Sequence, residues 1–299
     1  MVSEGKEYVL SLDIGGTNLR IGMVDRNNKL YNYTCEENNL LDLDDLKSYI
    51  NKHIKKNSIG SLVSIAIGFP STVSKNKKIV YSSPNIEGFD NINVADPLED
   101  MFNVPVFIDR DVNFLLEYEI ITRHLTGEGI LLGFYIGTGF GNSIYINGQF
   151  LNGKNGVAAE IGHIPVLNNL RKCSCGNDGC IETIASGKRL EELKQIHFAD
   201  TNIREIFKKH GENPILKDFI RAIANPIATE INIFDPDHVI IGGGVVHMKN
   251  FPIKLLEKYI HKHVRKPFPE LNLDISYAQS KKEAGVLGGA YYVYEKLIK

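Results

Sequence analysis

The chain has 299 residues, with 34 Lys and Arg against 36 Asp and Glu, so its formal net charge is −2 at pH 7. Hydrophobic residues make up 43% and charged residues 23%, which excludes a disordered or fibrous protein and is ordinary for a globular one. Near-neutral charge without a basic block argues against a dedicated nucleic-acid binder or a polybasic membrane segment. The charged start and the lack of an apolar run of about 20 residues predict no signal peptide and no membrane helix, and therefore a cytoplasmic protein.

The first part of the chain alternates predicted strands and helices. A strand over Tyr8–Leu12 breaks at Gly15–Gly16 and resumes over Leu19–Val24. The elements predicted next are a helix over 42–57, a buried strand over Leu62–Ile67, a strand over Val104–Ile108, a loop over Asp109–Asn113 and a helix to about His124. Such alternation is typical of an α/β lobe.

The opening pattern returns near residue 130. The segments LSLDIGGTNLRIGMV and GFYIGTGFGNSIYI share a strand, a glycine turn and a second strand, and Asn147-Gly148 then predicts a hairpin. The later predicted elements are a helix from Ser186, a helical region over 214–233 interrupted at Pro226, a strand over Val239–Ile241, a helix near 251–264, a strand near 271–277 and a helix from about Lys282. The repeat predicts two α/β lobes, one over 1–120 with the last helix (283–299) packed back onto it, and one over 121–282.

Three glycine turns stand at predicted strand ends: Asp13–Asn18, Gly137–Gly139 and Gly242–Gly244. Glycines let the backbone bend sharply, approach a ligand closely and line up N–H groups around an anion, so the turns predict a phosphate clamp for a nucleotide. Asp13 is the candidate to hold Mg²⁺ through water, since Mg²⁺ keeps several waters and shares phosphate oxygens. The nucleotide-binding candidates are Asp13, Gly15, Gly16, Thr17, Asn18, Gly137, Thr138, Gly139, Gly242, Gly243 and Gly244.

Each glycine turn taken alone also fits a plain tight hairpin or strand end. The phosphate-clamp interpretation is favoured because three such turns occur, two of them in repeated units. No Gly-Lys-Ser/Thr follows them, which excludes a Walker loop. The first turn leads into a strand and lacks the dinucleotide spacing, which excludes a dinucleotide fingerprint.

The four cysteines are too few for a disulfide scaffold, but three of them lie within eight positions. His163, Cys173, Cys175 and Cys180 match a closed Cys₃His site, the arrangement of a structural zinc. The alternative is a chance group of free thiols. Four protein ligands leave no open position, so the predicted role of the metal is to fix the shape of the loop. The fourth cysteine, Cys35, is interpreted as plain core.

Carboxylates near the predicted strand ends and the cysteine loop are the acid–base and hydroxyl-binding candidates. Phosphoryl transfer to a hydroxyl needs a group that takes the proton, and Asp111 is the candidate base with Asn113 as a positioning hydrogen bonder. The alternative is that Asp111 only caps the helix that begins there. Glu160, His163 and Glu182 flank the cysteine loop and are candidates to bind adjacent hydroxyls of a sugar.

These motifs together resemble the ROK family of sugar kinases and repressors over essentially the whole chain. The matching segments are the Asp13–Asn18 turn, Arg110-Asp-Val-Asn113, Gly137-Thr-Gly139, Glu160-Ile-Gly-His163, the cysteine loop through Glu182 and the Gly242–Gly244 turn. The resemblance implies an α/β actin-like ATPase (ribonuclease H-like) fold, whose two lobes close over ATP–Mg²⁺ and a sugar. It also implies Asp111 as the base, and Asn85, Arg110, Asp111, Asn113, Glu160, His163 and Glu182 as the sugar-binding residues.

Two positions depart from the pattern of the family. Arg110 stands where the family usually has Asn before the catalytic Asp, and Ser71 follows Pro70 where Gly is common. The combination of Gly68-Phe-Pro70, Val73-Ser-Lys75, Pro84-Asn85 and Arg110-Asp-Val-Asn113 is similar to the D-allose kinase branch. Arg110 is therefore a candidate to hydrogen-bond a hydroxyl of different configuration, or to pair with Asp109.

The resemblance implies an ATP-dependent hexose kinase that phosphorylates the 6-hydroxyl, with D-allose as the leading substrate. Glucokinase, fructokinase and N-acetylmannosamine kinase activities are the alternatives within the family. A sugar-sensing repressor is disfavoured because only seven residues precede the first predicted strand and no basic patch is present. An actin- or chaperone-like ATPase is disfavoured by the carboxylates and the zinc loop. Family members are often dimeric, so the resemblance also allows a homodimer.

Overall fold

The computed structural model describes residues 6–57, 59–83, 86, 88–125 and 129–298. The chain forms two compact units, which are described separately below. Unit 1 comprises Met1–Thr126, Asn152–Ala158 and Lys281–Lys299, and unit 2 comprises Gly127–Leu151 and Ala159–Ser280. The short segment 152–158, which lies within the second lobe expected from the sequence, thus clusters with unit 1.

The strands are β1 (Lys6–Ile14), β2 (Asn18–Asp25), β3 (Leu30–Glu37), β4 (Gly60–Phe69), β5 (Thr72–Val73), β6 (Ile79–Ser82), β7 (Ile92–Asn93), β8 (Val106–Arg110), β9 (Ile130–Ile136), β10 (Phe140–Ile146), β11 (Gln149–Phe150), β12 (His238–Gly242) and β13 (Ile275–Tyr277). The helices are α1 (Leu43–Asn57), α2 (Ala95–Phe102), α3 (Asp111–Thr122), α4 (Glu182–Ala185), α5 (Gly187–His197), α6 (Ile206–His210), α7 (Pro214–Phe234), α8 (Ile253–His263) and α9 (Ala284–Ile298). Short 3₁₀ helices cover Ile161–His163, Ile203–Glu205 and Glu270–Asn272.

Unit 1 is built on a five-stranded sheet of order β3-β2-β1-β4-β8. Strands β1 and β2 are antiparallel, whereas β4 runs parallel to both β1 and β8. Nearly every residue of β1 is buried, as expected for a central strand covered on both faces. Helices α3 and α9 pack on each other and against β1 and β4, with Phe114, Val286 and Ala290 in their shared core. A small antiparallel sheet, β5-β6-β7, is added to this unit.

Unit 2 has a five-stranded sheet with the same layout, in the order β11-β10-β9-β12-β13. Its first two strands in the chain, β9 and β10, are antiparallel, and β12 runs parallel to β9 and β13. Asn147 and Gly148 both have positive φ, 47° and 84°, as a two-residue hairpin turn requires. The strand–turn–strand repeat and the hairpin predicted from the sequence are thereby confirmed.

The structure differs from the sequence-based prediction at several places, three of which follow. No loop separates β8 from α3: the strand ends at Arg110 and the helix begins at Asp111. Helix α7 continues through Pro226 without interruption, because the apolar residues on either side of the proline are buried in the core of unit 2. Cys35 is exposed on β3, the outermost strand of its sheet, so the interpretation of it as core was wrong.

Among the described residues, no helix combines the length and the apolar character that crossing a membrane requires.

Candidate active site

The candidate residues of unit 1 lie at the carboxyl end of its parallel strands. In the register of the sheet, Asp13 of β1 pairs with Gly68 of β4, and Gly68 pairs with Asp109 of β8. Arg20 of β2 continues this row on the other side of Asp13. The carboxyl edge of parallel strands is where α/β proteins place their ligand sites, and here that edge carries charged side chains.

Asp13 is a buried carboxylate with a cationic partner. Its Oδ2 accepts a hydrogen bond from Arg20 Nη1 at 2.9 Å. The first turn of α9 packs so closely that a Cβ added at Gly285 would lie 2.7 Å from Asp13 Cγ. Burial raises the pKa of Asp13 above its ordinary value, and Arg20 offsets only part of this effect. Arg20 thus engages one of the two carboxylate oxygens of Asp13.

The glycine turn after β1 is closed by one hydrogen bond within the turn and by another from Asn38, just after β3. Gly15 N donates to Asn18 O at 2.8 Å, and Asn38 Nδ2 donates to Gly15 O at 2.7 Å. Residues 16–18 at the tip of the turn are exposed. The tip is therefore the part of this turn that a ligand can reach.

Asp111 is the first residue of α3 and stands directly at the end of β8. It is partly buried, and its Oδ1 accepts a hydrogen bond from Val112 N at 2.8 Å. One carboxylate oxygen thus binds the backbone N–H of the next residue, whereas the N-cap position is Arg110, which makes no side-chain capping hydrogen bond. A Cβ added at Gly68 would lie 3.3 Å from Asp111 Cα, so glycine on the neighbouring strand lets the helix begin close to the sheet.

Arg110 and Asn113, two of the expected sugar-binding residues, are engaged inside unit 1. They are 7% and 5% exposed. Arg110 Nη1 donates to the carbonyl oxygen of Ala158 at 2.8 Å, and Asn113 Nδ2 donates to Asp109 Oδ1 at 2.9 Å. Both side chains therefore make hydrogen bonds that position the backbone around Asp111.

The second glycine turn, in unit 2, is bound by the start of helix α5. Gly137 N donates to Gly139 O at 3.1 Å within the turn. From the helix, Gly187 N donates to Gly137 O at 2.8 Å and Lys188 N to Thr138 O at 3.1 Å. The predicted N-cap Ser186 is confirmed, since its side chain accepts from the backbone of residue 189. The helix start thus fixes the carbonyl side of this turn.

Glu182, expected to bind sugar, braces the same turn. It is the first residue of α4, and its Oε2 accepts a hydrogen bond from Phe140 N at 2.8 Å. A Cβ added at Gly139 would lie only 2.3 Å from that oxygen, so only glycine leaves room for the carboxylate. The structure therefore joins a carboxylate beside the cysteine loop to the predicted phosphate turn.

The third glycine turn follows β12 at the same edge of the unit 2 sheet, since Gly242 pairs with Tyr135 of β9. Gly243 has φ +96°, and a Cβ there would lie 2.5 Å from the backbone of Ile136. Gly244 is exposed and has open space where a side chain would stand. Gly243 is thus needed for packing, whereas Gly244 leaves space for a ligand.

His163 faces two groups with its two ring nitrogens. Nδ1 lies 3.5 Å from Cys173 Sγ, and Nε2 lies 3.6 Å from Glu160 Oε2. The side chains of His163 and Glu160 are 29% and 30% exposed, so both reach solvent. The imidazole of His163 therefore lies between Cys173, another candidate metal ligand, and Glu160, a candidate hydroxyl-binding carboxylate.

The thiols of the cysteine loop converge on one point with His163. The four candidate ligand atoms lie within 4.8 Å of one another, and Cys175 Sγ is 3.6 Å from Cys180 Sγ. Zn–S bonds of about 2.3 Å in a tetrahedron separate two sulfurs by about 3.8 Å, close to this spacing. Burial and the neighbouring thiols raise the pKa of Cys180 to about 12, and a bound cation would favour its thiolate form. The donor set fits zinc.

Two further charged residues join the site without having been predicted. Arg20 pairs with Asp13 across the hairpin, and Lys77 Nζ lies 2.7 Å from Asp109 Oδ1. The hairpin register could have indicated Arg20, because residues flanking a tight turn face each other. Nothing in the local sequence indicates Lys77, which comes from a turn 32 residues before its partner. Asn85, predicted to bind sugar, lies outside the described residues.

Comparison with known proteins now identifies the family. A model of the ROK family matches residues 9–296, nearly the whole chain. The chain belongs to the ROK family. Among curated relatives, the glucokinase of Thermotoga maritima is 24% identical, over 98% of this chain and 99% of the relative. The DNA-binding transcriptional dual regulator NagC of Escherichia coli is 28% identical, over 76% of this chain and 59% of the regulator.

Solved structures in the ROK family share the fold of this chain. A ROK family glucokinase from Streptomyces griseus, in complex with glucose and AMPPNP, superposes with a TM-score of 0.79 at 24% identity. The match covers 95% of this chain and 98% of the glucokinase. The chain therefore has the actin-like ATPase fold of its ROK relatives, built from mixed α/β sheets, as predicted.

Proposed function

We propose that this ROK protein is an ATP-dependent sugar kinase. The observation that carries the proposal is the placement of Asp111 at the start of a helix and at the carboxyl end of parallel strands. It follows β8 directly, and Asp109 of β8 lies in the register row that holds Asp13. The similarity to a glucokinase over the full length of both chains supports it. The match to the regulator NagC covers 76% of this chain, against 98% for the glucokinase, which favours the kinase over the repressor alternative.

In the proposed reaction, Asp111 accepts the proton of the sugar 6-hydroxyl as that oxygen attacks the γ-phosphorus of ATP. The bond from the γ-phosphorus to the β,γ-bridging oxygen breaks, ADP leaves, and the sugar 6-phosphate forms. Phosphoryl transfer needs positioning and charge stabilisation more than covalent help, so the base and the phosphate-binding amides are the central parts.

The glycine turns are the proposed nucleotide-binding elements. The exposed tip at residues 16–18, the turn Gly137–Gly139 and the open position Gly244 offer backbone amides to phosphates and ribose without side-chain obstruction. Mg²⁺ bound with ATP would screen the phosphate charge, and Asp13 is the carboxylate proposed to reach it through water. Arg20 and the start of α9 hold that carboxylate in place.

Glu160 and His163 are proposed to bind the sugar directly, since their side chains are 30% and 29% exposed. Glu182 uses one oxygen to bind Phe140 N, so its proposed sugar contact falls to the other oxygen. Zinc, held by His163, Cys173, Cys175 and Cys180, is proposed to fix the orientation of this imidazole. Arg110 and Asn113 are proposed to act by positioning, because each already binds the protein.

D-allose is the proposed preferred sugar within this class. One support is Arg110, which stands before the candidate base where the family usually has Asn. The other is the similarity of the surrounding motifs to the D-allose kinase branch. D-allose differs from glucose only in configuration at C3, so one repositioned hydrogen bond, about 1–3 kcal/mol, is enough to change the preference.

The test is an ADP-release assay with ATP, Mg²⁺ and a panel of sugars. Glucose, allose, mannose, fructose and N-acetylmannosamine form the panel, and kcat/KM is compared for each. We expect turnover with hexoses and the highest kcat/KM with allose. A preference for glucose would contradict the allose proposal and leave the kinase intact. ADP release that no sugar stimulates would overturn the kinase proposal itself.

A further inference from the structure

The inference concerns Lys77, a partly buried lysine in the turn between β5 and β6. Its side chain is 15% exposed, and its backbone has φ +59°, in the left-handed region that lysine seldom occupies. Ser74 closes this turn: its backbone N donates to Ile79 O at 2.8 Å, and its Oγ accepts from Ile79 N at 2.9 Å. The turn is therefore built to hold Lys77 in an unfavourable backbone conformation.

The ammonium group of Lys77 bridges two parts of unit 1. Nζ lies 2.7 Å from Asp109 Oδ1 and 2.6 Å from Asn152 Oδ1. Asp109 is 1% exposed, and its second oxygen, Oδ2, is buried without a hydrogen-bond partner among the described residues. Among the described residues, the hydrogen bonds to this buried carboxylate are thus accepted by Oδ1, the oxygen that Lys77 binds.

Asp109 Oδ1 also binds the residues on both sides of Asp111. It accepts from Arg110 N at 2.8 Å and from Asn113 Nδ2 at 2.9 Å. One bond fixes the peptide between Asp109 and Arg110, and the other fixes Asn113 in the first turn of α3, two residues after Asp111. The Lys77–Asp109 pair therefore determines the backbone position from which the Asp111 carboxylate projects.

The same network holds the segment 152–158 onto unit 1. Lys77 binds its first residue through Asn152 Oδ1, and Arg110 binds its last residue through the carbonyl oxygen of Ala158. Between them, Gly156 packs so closely that a Cβ there would lie 2.3 Å from Val73 O. The chain enters this segment after residue 151 and leaves it just before Glu160, a proposed sugar-binding residue.

We propose that Lys77 is a positioning residue for the phosphoryl transfer: it anchors segment 152–158 and, through Asp109, fixes the helix start that carries Asp111. The effect on turnover rests on the proposed function, whereas the anchoring does not. Lys77 acts through Asp109 and touches no reacting atom. Displacing a reacting group by about 1 Å lowers turnover about 100-fold, so the loss of Lys77 is expected to act mainly on kcat.

The test compares Lys77→Met with Lys78→Met. Lys78 is the next residue, but it pairs with Asp96 at the surface and its side chain is 42% exposed. We expect Lys77→Met to lower kcat about 10- to 100-fold with little change in the KM for ATP. Hydrogen exchange of the amides in 152–158 should accelerate in the same variant. Lys77→Arg, which keeps the charge, should restore both readouts toward wild type, and Lys78→Met should change neither.

Unchanged kcat and unchanged exchange in folded Lys77→Met would overturn the inference, as would equal losses in Lys78→Met. Circular dichroism and thermal unfolding show whether Lys77→Met has lost its fold. If it has, kcat and the hydrogen exchange of 152–158 are compared between Lys77→Arg and the wild type instead. If the wild-type protein phosphorylates no sugar, the proposed function fails. The exchange measurement still tests the anchoring in that case, so the two failures are distinguishable.

Discussion

The glycine turns at Asp13–Asn18 and Gly137–Gly139 occupy equivalent places in the two units, but the carboxylate beside each turn comes from a different kind of element. In unit 1 the carboxylate, Asp13, belongs to the strand itself and is compensated by Arg20 across the hairpin. In unit 2 the carboxylate is Glu182, which comes from a separate helix and binds the turn through Phe140 N. The repeat therefore preserves the backbone and leaves the chemistry to residues added around it.

This difference predicts that the two units respond differently to mutation. In unit 1 the charged groups lie in or next to the sheet, so single substitutions should remove chemistry with little loss of structure. In unit 2 the groups depend on the cysteine loop and α4, so loss of that support should reduce both stability and activity. The predictions below separate these outcomes, from the largest expected effect to the smallest.

The largest effect is expected from Asp111→Ala in unit 1. Loss of a general base lowers turnover by about 100- to 10,000-fold, while sugar binding should persist because the remaining hydroxyl contacts stay in place. Steady-state ADP release measures kcat, and titration calorimetry measures sugar binding. Asp100→Ala, at an exposed aspartate of α2, is the matched control and should keep full activity. Near-normal turnover in Asp111→Ala would show that another group accepts the proton.

The second-largest effect is expected from Cys175→Ser, in the cysteine loop of unit 2. Cys175 is exposed, so its substitution costs little packing, but it removes one of the four candidate zinc ligands. We expect bound zinc, measured by mass spectrometry, to fall and kcat/KM to drop by about 10- to 100-fold. Cys35→Ser, at the exposed thiol of unit 1, should change neither value. Full zinc content in Cys175→Ser would contradict the proposed ligand set.

Much of the fold was predictable from the sequence because its signals are local. The repeat predicted a strand, a glycine turn and a second strand in each lobe, and the structure has β1 and β2 in one unit and β9 and β10 in the other. The spacing of His163 and the three cysteines predicted the convergence of their ligand atoms, since short glycine-containing loops leave few alternatives. These predictions depend on residues close together in the chain.

The parts that could not be predicted depend on tertiary contacts. Nothing near Lys77 indicates its pairing with Asp109, which requires the register of β8 and the turn after β5 to be known together. The helix through Pro226 is another case, because burial of its flanks outweighs the hydrogen bond that proline removes. Arg110 adjoins the candidate base Asp111 in the chain, but its partner, the Ala158 carbonyl, lies 48 residues away.

The third prediction compares two glycines of the unit 2 turn: Gly139, which is needed for packing, and Gly137, which is proposed to contact the nucleotide. Gly139→Ala places a Cβ 2.3 Å from Glu182 Oε2, so it should break the bond to Phe140 N and destabilise the protein by about 2 kcal/mol. A Cβ at Gly137 meets nothing within 4 Å. Gly137→Ala should therefore unfold at the wild-type temperature but raise the KM for ATP, because its methyl group obstructs a phosphate. An unchanged KM in Gly137→Ala would remove this residue from the nucleotide site.

The smallest effect concerns two aspartates of unit 1 whose pKa values are shifted in opposite directions. Burial raises the pKa of Asp13, with Arg20 offsetting part of the shift. For Asp25 burial also acts upward, but hydrogen bonds from Lys29 N, Tyr31 Oη and Asn27 N lower its pKa overall. The ionised form of Asp13 is therefore disfavoured by folding, whereas the ionised form of Asp25 is favoured.

The sign of each shift fixes the expected stability. A raised carboxyl pKa means that the folded state loses stability as pH rises from the unfolded value, 3.8, through the folded one, so Asp13→Asn should unfold at or above the wild-type temperature at pH 7. A lowered pKa means stability that is present above 3.8 and lost as pH falls through the folded value, so Asp25→Asn should lower Tm at pH 7 by about 2–4 °C.

Asp13→Asn should nevertheless reduce turnover, because the amide lacks the charge proposed to reach Mg²⁺. Thermal unfolding and ADP release on the two variants test this, and a lower Tm in Asp13→Asn than in Asp25→Asn would show that Asp13 supports the fold rather than the chemistry.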